Sequence, residues 1–326
     1  MAVQARAFWL REPGVGEIRP VDLPDPGPGE VLVRTLRSAV SRGTETLVFR
    51  GCVPPDQYAV MRAPFQEGDF PGPVKYGYLN VGVVDEGPPE VVGRTVFCLH
   101  PHQTAYVVPA SAVVVVPEGV PAARAVLAGT VETAVNALWD AAPLVGDRVT
   151  VVGAGMVGLC AARLLVGIPG VEVTVVDVDP ERAVVVGAIG ADFALPTGAE
   201  GGRDLVIHAS ATSTGLQLSL DLLSAEGTVV ELSWYGDAEV NLRLGGTFHS
   251  GRLSIRASQV GTVSPARRGR RSATDRLGLA LHLLEDPAFD ALLTGSSAFD
   301  DLPETLRRLA DGGLRALCHT ITYGEG

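Results

Sequence analysis

The chain has 326 residues, 46% of them hydrophobic, and carries a formal net charge of -11 at pH 7. This length predicts two domains, and the apolar share suits a buried parallel sheet. The acidic balance argues against nucleic-acid binding, which needs a basic surface, and no apolar run is long enough to cross a membrane. Because the first residues contain no apolar signal segment, we expect a cytoplasmic protein.

From residue 5 to residue 116, short β-rich pieces alternate with glycine and proline, which predicts an all-β domain. The expected strands are ARAFWL, EVLVRTL, LNVGVVDEG, RTVFCL, TAYVVP and AVVVVP. Between them lies an irregular segment, residues 41–76, that is too long for a simple connection. Since such loops often carry function, we expect this one to build part of a site.

After a helical region at residues 121–142, a β-branched strand at 148–152 ends directly in a glycine turn and an apolar helix. The turn reads Gly153-Ala154-Gly155-Met156-Val157-Gly158. Gly153 permits a tight turn, Gly155 lets a pyrophosphate approach the backbone, and Gly158 lets the helix pack on the strand. The first N–H groups of the helix then bind the phosphates, so this unit predicts a dinucleotide site.

A second strand, residues 171–176, ends in Asp177, roughly 20 residues beyond the glycines. At that position a carboxylate accepts hydrogen bonds from a ribose 2′-hydroxyl, which favours NAD(H). Arg182 is near enough in sequence to leave NADP(H) as the minor alternative.

Helices and strands continue to alternate after Asp177, which predicts a doubly wound parallel α/β sheet. His208 ends the strand DLVIHAS, and Ser233, Trp234 and Tyr235 follow the strand GTVVEL. Because open α/β sheets bind ligands at the carboxyl ends of their strands, we expect these four residues to line the nicotinamide half of the site. Further helices at 275–285 and 302–310 and a last strand at 317–323 complete the chain.

The four cysteines of the chain are scattered and include no CxxC pair, which disfavours a disulfide framework and a structural zinc site. One basic run, Arg267-Arg268-Gly269-Arg270-Arg271, interrupts the acidic composition. We interpret it as a solvated loop before a helix, with a site for an anionic substrate as the alternative.

A β-rich first domain, a central glycine turn and a helix–strand ending together resemble the medium-chain dehydrogenase/reductase superfamily over essentially the whole sequence. The run Ser41-Arg42-Gly43-Thr44-Glu45 and the later FHSGRLSIRASQVG are most similar to the 2-desacetyl-2-hydroxyethyl bacteriochlorophyllide a dehydrogenase branch. The resemblance implies a GroES-like β-rich catalytic domain at 1–122, to which 266–326 return, and a Rossmann domain at 123–265. It also implies a small-molecule substrate and a homodimer formed through the edge strand LSIRAS.

Zinc-dependent members of this superfamily hold the metal with a cysteine, a histidine and a third Cys or Glu ligand. The corresponding positions here are Arg42, Tyr78 and the pair Ala128 and Gly129, none of which ligates zinc well. The resemblance therefore implies the fold and the cofactor, while these residues predict a protein without zinc. A rearranged metal site of Glu45, His102 and Glu132 is the alternative.

Without zinc, a side chain must donate to the substrate oxygen during hydride transfer. Tyr78 is the first candidate because a phenol can protonate a developing alkoxide, although it is also suited to an aromatic wall. His102 has the titration range of a proton relay, or is satisfied by local hydrogen bonds. The remaining polar candidates are Ser41, Arg42, Glu45, Lys75 and Glu132. Among these, Ser41 can orient a substrate hydroxyl or form a local turn, and Glu45 with Arg42 can instead form a structural ion pair.

The sequence thus predicts a zinc-independent, NAD(H)-dependent oxidoreductase that interconverts a secondary alcohol and a ketone on a small or medium-sized polyfunctional molecule. A zinc-free quinone or enoyl reductase, acting on a conjugated C=C bond, is the alternative within enzymes. The third hypothesis is a non-catalytic sensor that binds dinucleotide without turnover.

Overall fold

The computed structural model describes residues 3–324, which form two compact units. The first contains the chain up to Gly129, Leu281–Glu285, and the described residues from Leu293 onward. The second contains Thr130–Ala280 and Asp286–Leu292. Within residues 3–324, none of the helices has both the length and the apolar character that a membrane crossing requires.

The strands of residues 3–324 are β1 (Val3–Glu12), β2 (Val15–Leu23), β3 (Glu30–Val40), β4 (Glu67–Gly68), β5 (Val74–Lys75), β6 (Asn80–Glu86), β7 (Thr95–Cys98), β8 (Ala105–Pro109), β9 (Val113–Val115), β10 (Arg148–Val152), β11 (Glu172–Val176), β12 (Asp192–Ala194), β13 (Arg203–His208), β14 (Leu223–Glu231), β15 (Ser254–Ala257), β16 (Leu293–Ala298) and β17 (Cys318–Thr322). The α-helices are α1 (Arg42–Phe49), α2 (Ala122–Ala125), α3 (Ala128–Ala141), α4 (Met156–Val166), α5 (Arg182–Ala188), α6 (Ser213–Leu222), α7 (Thr247–Ser250), α8 (Ala273–Leu283) and α9 (Leu302–Ala310).

The first unit is built on two sheets. One has the strand order β16-β17-β3-β6-β7-β9, with β8 also paired to β3, and the other has the order β2-β1-β5-β4. Most of these pairs are antiparallel, as expected for an all-β domain, and β3 lies centrally, with seven of its eleven residues buried. The last strand, β17, pairs with β3 and so joins the end of the chain to its beginning.

Several elements of the first unit differ from the sequence-based prediction, among them α1 and β2. The segment 41–76, expected to be irregular, begins with α1, whose Val48 and Phe49 are buried. Its sequence, RGTETLVF, contains a glycine and three β-branched residues, so local propensity hid a helix that packing stabilises. Strand β2 was not predicted; it contains Pro20, which is tolerated because β2 lies at the edge of its sheet.

The second unit contains a six-stranded sheet in which all the strand pairs are parallel, in the order β12-β11-β10-β13-β14-β15. Val151, Val175, Val206 and Val230 are fully buried in this sheet, as the apolar runs of the sequence predict. The predicted doubly wound sheet is therefore confirmed. Chain order reverses between β10 and β13, which is the point where such sheets bind ligands at their carboxyl ends.

Candidate active site

The glycine turn between β10 and α4 has the geometry that a bound pyrophosphate needs. Gly153 has a φ of +112°, and a Cβ at this residue would lie 2.8 Å from the backbone nitrogen of Ser210. A Cβ at Gly158 would lie 2.0 Å from the carbonyl oxygen of Gly153, so the helix packs directly on the turn. Gly155 is exposed, with no atom within 4 Å of its Cβ position. The turn is thus tightly packed against the protein at Gly153 and Gly158 and accessible to a ligand at Gly155.

Helix α4 begins at Met156, followed by Val157, and Gly155 is its N-cap residue. The first N–H groups of a helix lack intrahelical partners and carry partial positive charge, so they attract phosphate oxygens. These residues, together with the turn, fit a dinucleotide.

Asp177 follows β11 and is fixed against the same turn. Its Oδ2 accepts a hydrogen bond of 2.7 Å from the N–H of Ala154, and its Oδ1 accepts one of 3.0 Å from the N–H of Asp179. The partly buried carboxylate has further lone pairs for ribose hydroxyl donors. Arg182, the residue that left NADP(H) open, lies 3.4 Å from Asp179 and is engaged by that carboxylate.

His208 ends β13 and is fully buried. Its Nδ1 lies 2.7 Å from Glu231 Oε2, and its Nε2 lies 2.7 Å from Ser210 Oγ. Glu231 Oε1 also accepts the N–H of Ser233 at 2.7 Å. The ring of His208 is thus buried, while its partners Ser210 and Glu231 are partly exposed. Trp234 follows, partly buried, on the segment after β14.

Tyr235 completes this group by donating a hydrogen bond of 2.9 Å to Glu231 Oε2. Burial raises the pKa of Tyr235, and the charge of Glu231 raises it further, so the phenol stays protonated. Burial also acts to raise the pKa of Glu231, but hydrogen bonds from His208 and Ser233 outweigh it and lower that pKa overall. Glu231 is thus held as an anion. Tyr235 follows the strand end from which it was predicted to line the site, whereas Ser210 and Glu231 were not predicted, although they stand at strand ends like His208.

In the first unit, the hydroxyl of Tyr78 donates a hydrogen bond of 2.6 Å to Ser41 Oγ. Burial raises the pKa of Tyr78 to about 12, hydrogen bonds with Ser41 and Thr44 lower it in part, and the charge of Glu45 raises it. The phenol is therefore a neutral donor across the physiological range. Thr44 was not predicted as a site residue, although it lies inside the run Ser41 to Glu45 that carried the resemblance.

His102 and Glu45 form a buried pair beside Ser41. His102 Nε2 lies 2.9 Å from Glu45 Oε2, and His102 Nδ1 lies 2.7 Å from Ser38 Oγ. Ser38 in turn lies 2.8 Å from the hydroxyl of Tyr323, and Glu45 Oε1 accepts the N–H of Ser41 at 2.7 Å. Four of the predicted residues, Ser41, Glu45, Tyr78 and His102, thus belong to one connected group.

Three other predicted residues lie in different surroundings. Arg42 is exposed at the start of α1, with its guanidinium 3.5 Å from the carbonyl oxygen of Ala316. Lys75 is buried and donates to Glu67 and, at 2.8 Å, to Gln103 Oε1. Glu132, in the second unit, is buried against Arg276 at 3.0 Å. Burial raises the pKa of Glu132, and Arg276 acts in the opposite direction.

The residues at the zinc-ligand positions do not fit a zinc ion. Arg42 presents a cation, Tyr78 presents a neutral phenol, and Ala128 and Gly129 carry no ligand atom. Both ring nitrogens of His102 are occupied by Ser38 and Glu45. Across residues 3–324, no three side chains of His, Cys, Asp or Glu come together in a group that could hold a metal.

No protein-family model matches the chain, and no curated protein matches it. Solved structures do match. L-Idonate 5-dehydrogenase from Escherichia coli has a TM-score of 0.80 at 17% identity, with 99% of both chains covered. A short chain alcohol dehydrogenase from Escherichia coli, complexed with NADH, has a TM-score of 0.77 at 19% identity, with 98% of this chain and 99% of that chain covered.

A Sinorhizobium meliloti protein bound to NADP, regarded as a zinc-binding dehydrogenase, has a TM-score of 0.78 at 16% identity, with 98% of this chain and 99% of that chain covered. The predicted fold class, a Rossmann sheet with a second β-rich unit, is confirmed by these matches. This chain has the fold of these dehydrogenases.

Proposed function

We propose that this chain is an NAD(H)-dependent oxidoreductase that interconverts a secondary alcohol and a ketone without zinc. The substrate is a small or medium-sized polyfunctional molecule. The observation that carries the proposal is the neutral phenol of Tyr78, which takes the place of a metal ligand and is held by Ser41 at 2.6 Å. The names of two structures that share the fold, an idonate dehydrogenase and an alcohol dehydrogenase, support alcohol chemistry.

NAD(H) is supported by the residues that would hold it. The open turn at Gly155 and the first N–H groups of α4 suit its pyrophosphate, and Asp177 suits a ribose with free hydroxyls. When bound, the cofactor supplies the hydride transfer itself. The protein must then bind the substrate, orient its reacting carbon and manage one proton.

Tyr78 performs the proton step in this proposal. As a ketone is reduced, negative charge develops on its oxygen, and a neutral phenol can donate a hydrogen bond and then a proton to it. The Ser41 hydroxyl accepts from Tyr78 in the free protein, and it can reverse to donate to the phenolate oxygen that results. With a pKa near 12, the phenol gives up its proton reluctantly, so strong negative charge on the substrate oxygen is needed to draw it.

Glu45 and His102 stabilise the position of this donor through Ser41. Glu45 binds the N–H of Ser41 at 2.7 Å and is itself held by His102 at 2.9 Å. The Glu45–His102 pair fixes the backbone of Ser41, which orients Tyr78. Because Glu45 and His102 are both buried, they do not compete with Tyr78 for the substrate oxygen. We therefore assign Glu45 and His102 as positioning residues and Tyr78 as the catalytic donor.

The quaternary structure is part of the same proposal. All four residues of β15 are exposed, although the strand pairs with β14 along one side. Exposed strand edges favour pairing with another chain, and symmetric pairing of two such edges gives a two-fold dimer. We propose a homodimer formed through β15.

The proposal is tested by following the absorbance of reduced nicotinamide with two substrate panels. One panel contains polyols and other secondary alcohols with NAD, and the other contains ketones and conjugated enones with NADH. Turnover of alcohols and ketones is the expected result. Turnover of enones alone would replace the proposal with a quinone or enoyl reductase, and tight NADH binding without turnover of any compound would favour a sensor.

A further inference from the structure

Four polar side chains form a continuous hydrogen-bonded series at the carboxyl ends of β13 and β14. Ser210 Oγ lies 2.7 Å from His208 Nε2, His208 Nδ1 lies 2.7 Å from Glu231 Oε2, and Tyr235 donates to the same oxygen at 2.9 Å. His208 is fully buried, whereas Ser210 is partly exposed. Ser210 and Tyr235, at the two ends of the series, are both partly exposed, and Ser210 is the end whose backbone packs on the glycine turn.

The donors and acceptors of the series make Ser210 an acceptor. Glu231 accepts from Tyr235 and from the N–H of Ser233, so its carboxylate also takes the Nδ1 proton of His208. His208 Nε2 then accepts the hydroxyl proton of Ser210. This order of groups activates a serine nucleophile in hydrolases, and the same polarisation strengthens the oxygen as a hydrogen-bond acceptor.

Thr212 occupies only one of the two acceptor positions of Ser210 Oγ. Their hydroxyl oxygens are 3.0 Å apart, and Thr212 Oγ1 already accepts the N–H of Gly215 at 3.0 Å. Because the single hydroxyl proton of Ser210 goes to His208, Thr212 is the donor in the contact with Ser210. One lone pair of Ser210 Oγ remains for an external donor.

The position of Ser210 relates this acceptor to the glycine turn. The strand β10 lies between β11 and β13, so Asp177 and Ser210 follow the two neighbours of the strand that leads into the turn. The backbone of Ser210 packs on that turn, with its nitrogen 2.8 Å from the Cβ position of Gly153. Two hydrogen-bond acceptors thus stand on opposite sides of the turn that suits a pyrophosphate.

A dinucleotide carries one ribose on each side of its pyrophosphate. We propose that Ser210, polarised by His208 and Glu231, binds a hydroxyl group of the nicotinamide-bearing ribose, while Asp177 binds the adenosine ribose. This inference rests on the proposed use of NAD(H). Ser210 would then contact the nicotinamide half of the cofactor, which 5′-AMP does not contain.

Calorimetric titration of Ser210→Ala with NADH and with 5′-AMP tests this assignment. Because one hydrogen bond to the nicotinamide half is lost, NADH binding should weaken about fivefold to tenfold, while 5′-AMP binding stays within about twofold. Glu231→Gln should weaken NADH binding in the same selective way, since the amide no longer polarises His208. Circular dichroism verifies that both variants are folded.

Ser213→Ala is the matched control, because it deletes the same hydroxyl three positions later, where Oγ accepts the N–H of Asn241. It should bind both ligands as the native protein does. Native NADH affinity in Ser210→Ala, or equal losses for NADH and 5′-AMP, would overturn the assignment. A native protein that binds neither ligand would overturn the proposed cofactor itself, and this inference with it.

Discussion

The phenol of Tyr78 and the hydroxyl of Ser41 are 2.6 Å apart, with Tyr78 donating. Ser41 immediately precedes α1, and its N–H is bound by Glu45 one helical turn later, so the acceptor is fixed by the helix start. Tyr78 is partly buried beside Tyr76, whose ring meets it edge to face at 6.1 Å. The donor is thus positioned before any substrate arrives.

Removing this hydroxyl should cost catalysis and spare cofactor binding. Tyr78→Phe keeps the ring and deletes only the donor, and loss of one positioned donor costs about 2.7–4 kcal/mol in comparable sites. We therefore expect kcat to fall roughly 100-fold or more with unchanged NADH affinity, measured by steady-state kinetics and calorimetry.

Tyr76→Phe is the control for this experiment, because it makes the same change on the neighbouring ring and leaves the bond to Ser41 intact. It should retain most of the native kcat. If Tyr78→Phe turns over at the native rate, Tyr78 is not the donor, and His102 becomes the residue to test next.

The purified protein should contain no stoichiometric zinc, because of the residues that stand where zinc ligands are expected. Arg42 and Tyr78, which the resemblance places at the positions of two zinc ligands, are poor ligands for zinc, and both ring nitrogens of His102 are already bonded. We expect elemental analysis to find well below one zinc ion per chain and chelators to leave activity unchanged. Stoichiometric zinc that is lost together with activity would refute the zinc-free mechanism.

The sequence predicted best those parts of the molecule that are encoded locally. The strand, glycine turn and helix of the dinucleotide unit lie within residues 148–166, where steric demands on Gly153 and Gly158 leave few other conformations. Helix α9 was predicted at its observed bounds, Leu302–Ala310, because its apolar residues follow a helical period.

The parts that were missed depend on contacts between distant segments. Ser38 and Tyr323 join the His102 group because β17 pairs with β3, which places Ile321 opposite Ser38 across 283 residues of chain. Glu231 meets His208 because β13 and β14 are neighbours, with these two residues opposite each other. The contacts of Ser38, Tyr323 and Glu231 arise only when the strands pair, so the sequence near each residue does not reveal its partner.

Cofactor preference should follow Asp177. Its carboxylate is fixed beside the turn by the N–H groups of Ala154 and Asp179, where it can accept from ribose hydroxyls and would repel a 2′-phosphate. Arg182 is engaged by Asp179 at 3.4 Å. We expect calorimetry to show tighter binding of NADH than of NADPH, with Asp177→Ser narrowing the ratio. Equal or better NADPH binding by the native protein would contradict this assignment.

Glu132 should be important for stability through its buried ion pair with Arg276. Both side chains are almost inaccessible, and removing one member of such a pair leaves the other charge without compensation, at a cost of about 3–5 kcal/mol. Glu132→Gln should therefore unfold at markedly lower urea concentration. Glu304→Gln, which removes an exposed partner of Arg307, is the control and should unfold like the native protein. Similar midpoints for both variants would show that the buried pair contributes little.

The pH dependence of stability should reveal the buried imidazole of His100. The ring is 4% exposed and stacks on Tyr106 with centroids 3.8 Å apart. Burial lowers the pKa of His100 from 6.5 to about 3, with Lys75 and His102 adding to the effect and a hydrogen bond to the Pro101 carbonyl opposing it. In the folded protein, the His100 imidazole is therefore neutral at physiological pH.

Below pH 6.5 the unfolded chain takes up a proton at this position and the folded protein does not, so stability falls as the pH decreases towards about 3. Each pH unit in that window should remove about 1.4 kcal/mol. The contribution is complete above pH 6.5. Burial also lowers the pKa of His319, which adds a slope of the same sign.

Urea unfolding at a series of pH values measures this slope. His100→Phe keeps an aromatic ring for the stack on Tyr106 and does not titrate, so its free energy of unfolding should fall less steeply between neutral and acid pH. His282→Phe is the control, because the His282 side chain is 69% exposed and should leave the native slope unchanged. A His100→Phe protein with the native slope would show that His100 titrates alike in the folded and unfolded states, and the pH dependence would then have to arise at other groups, with His319 the first to substitute.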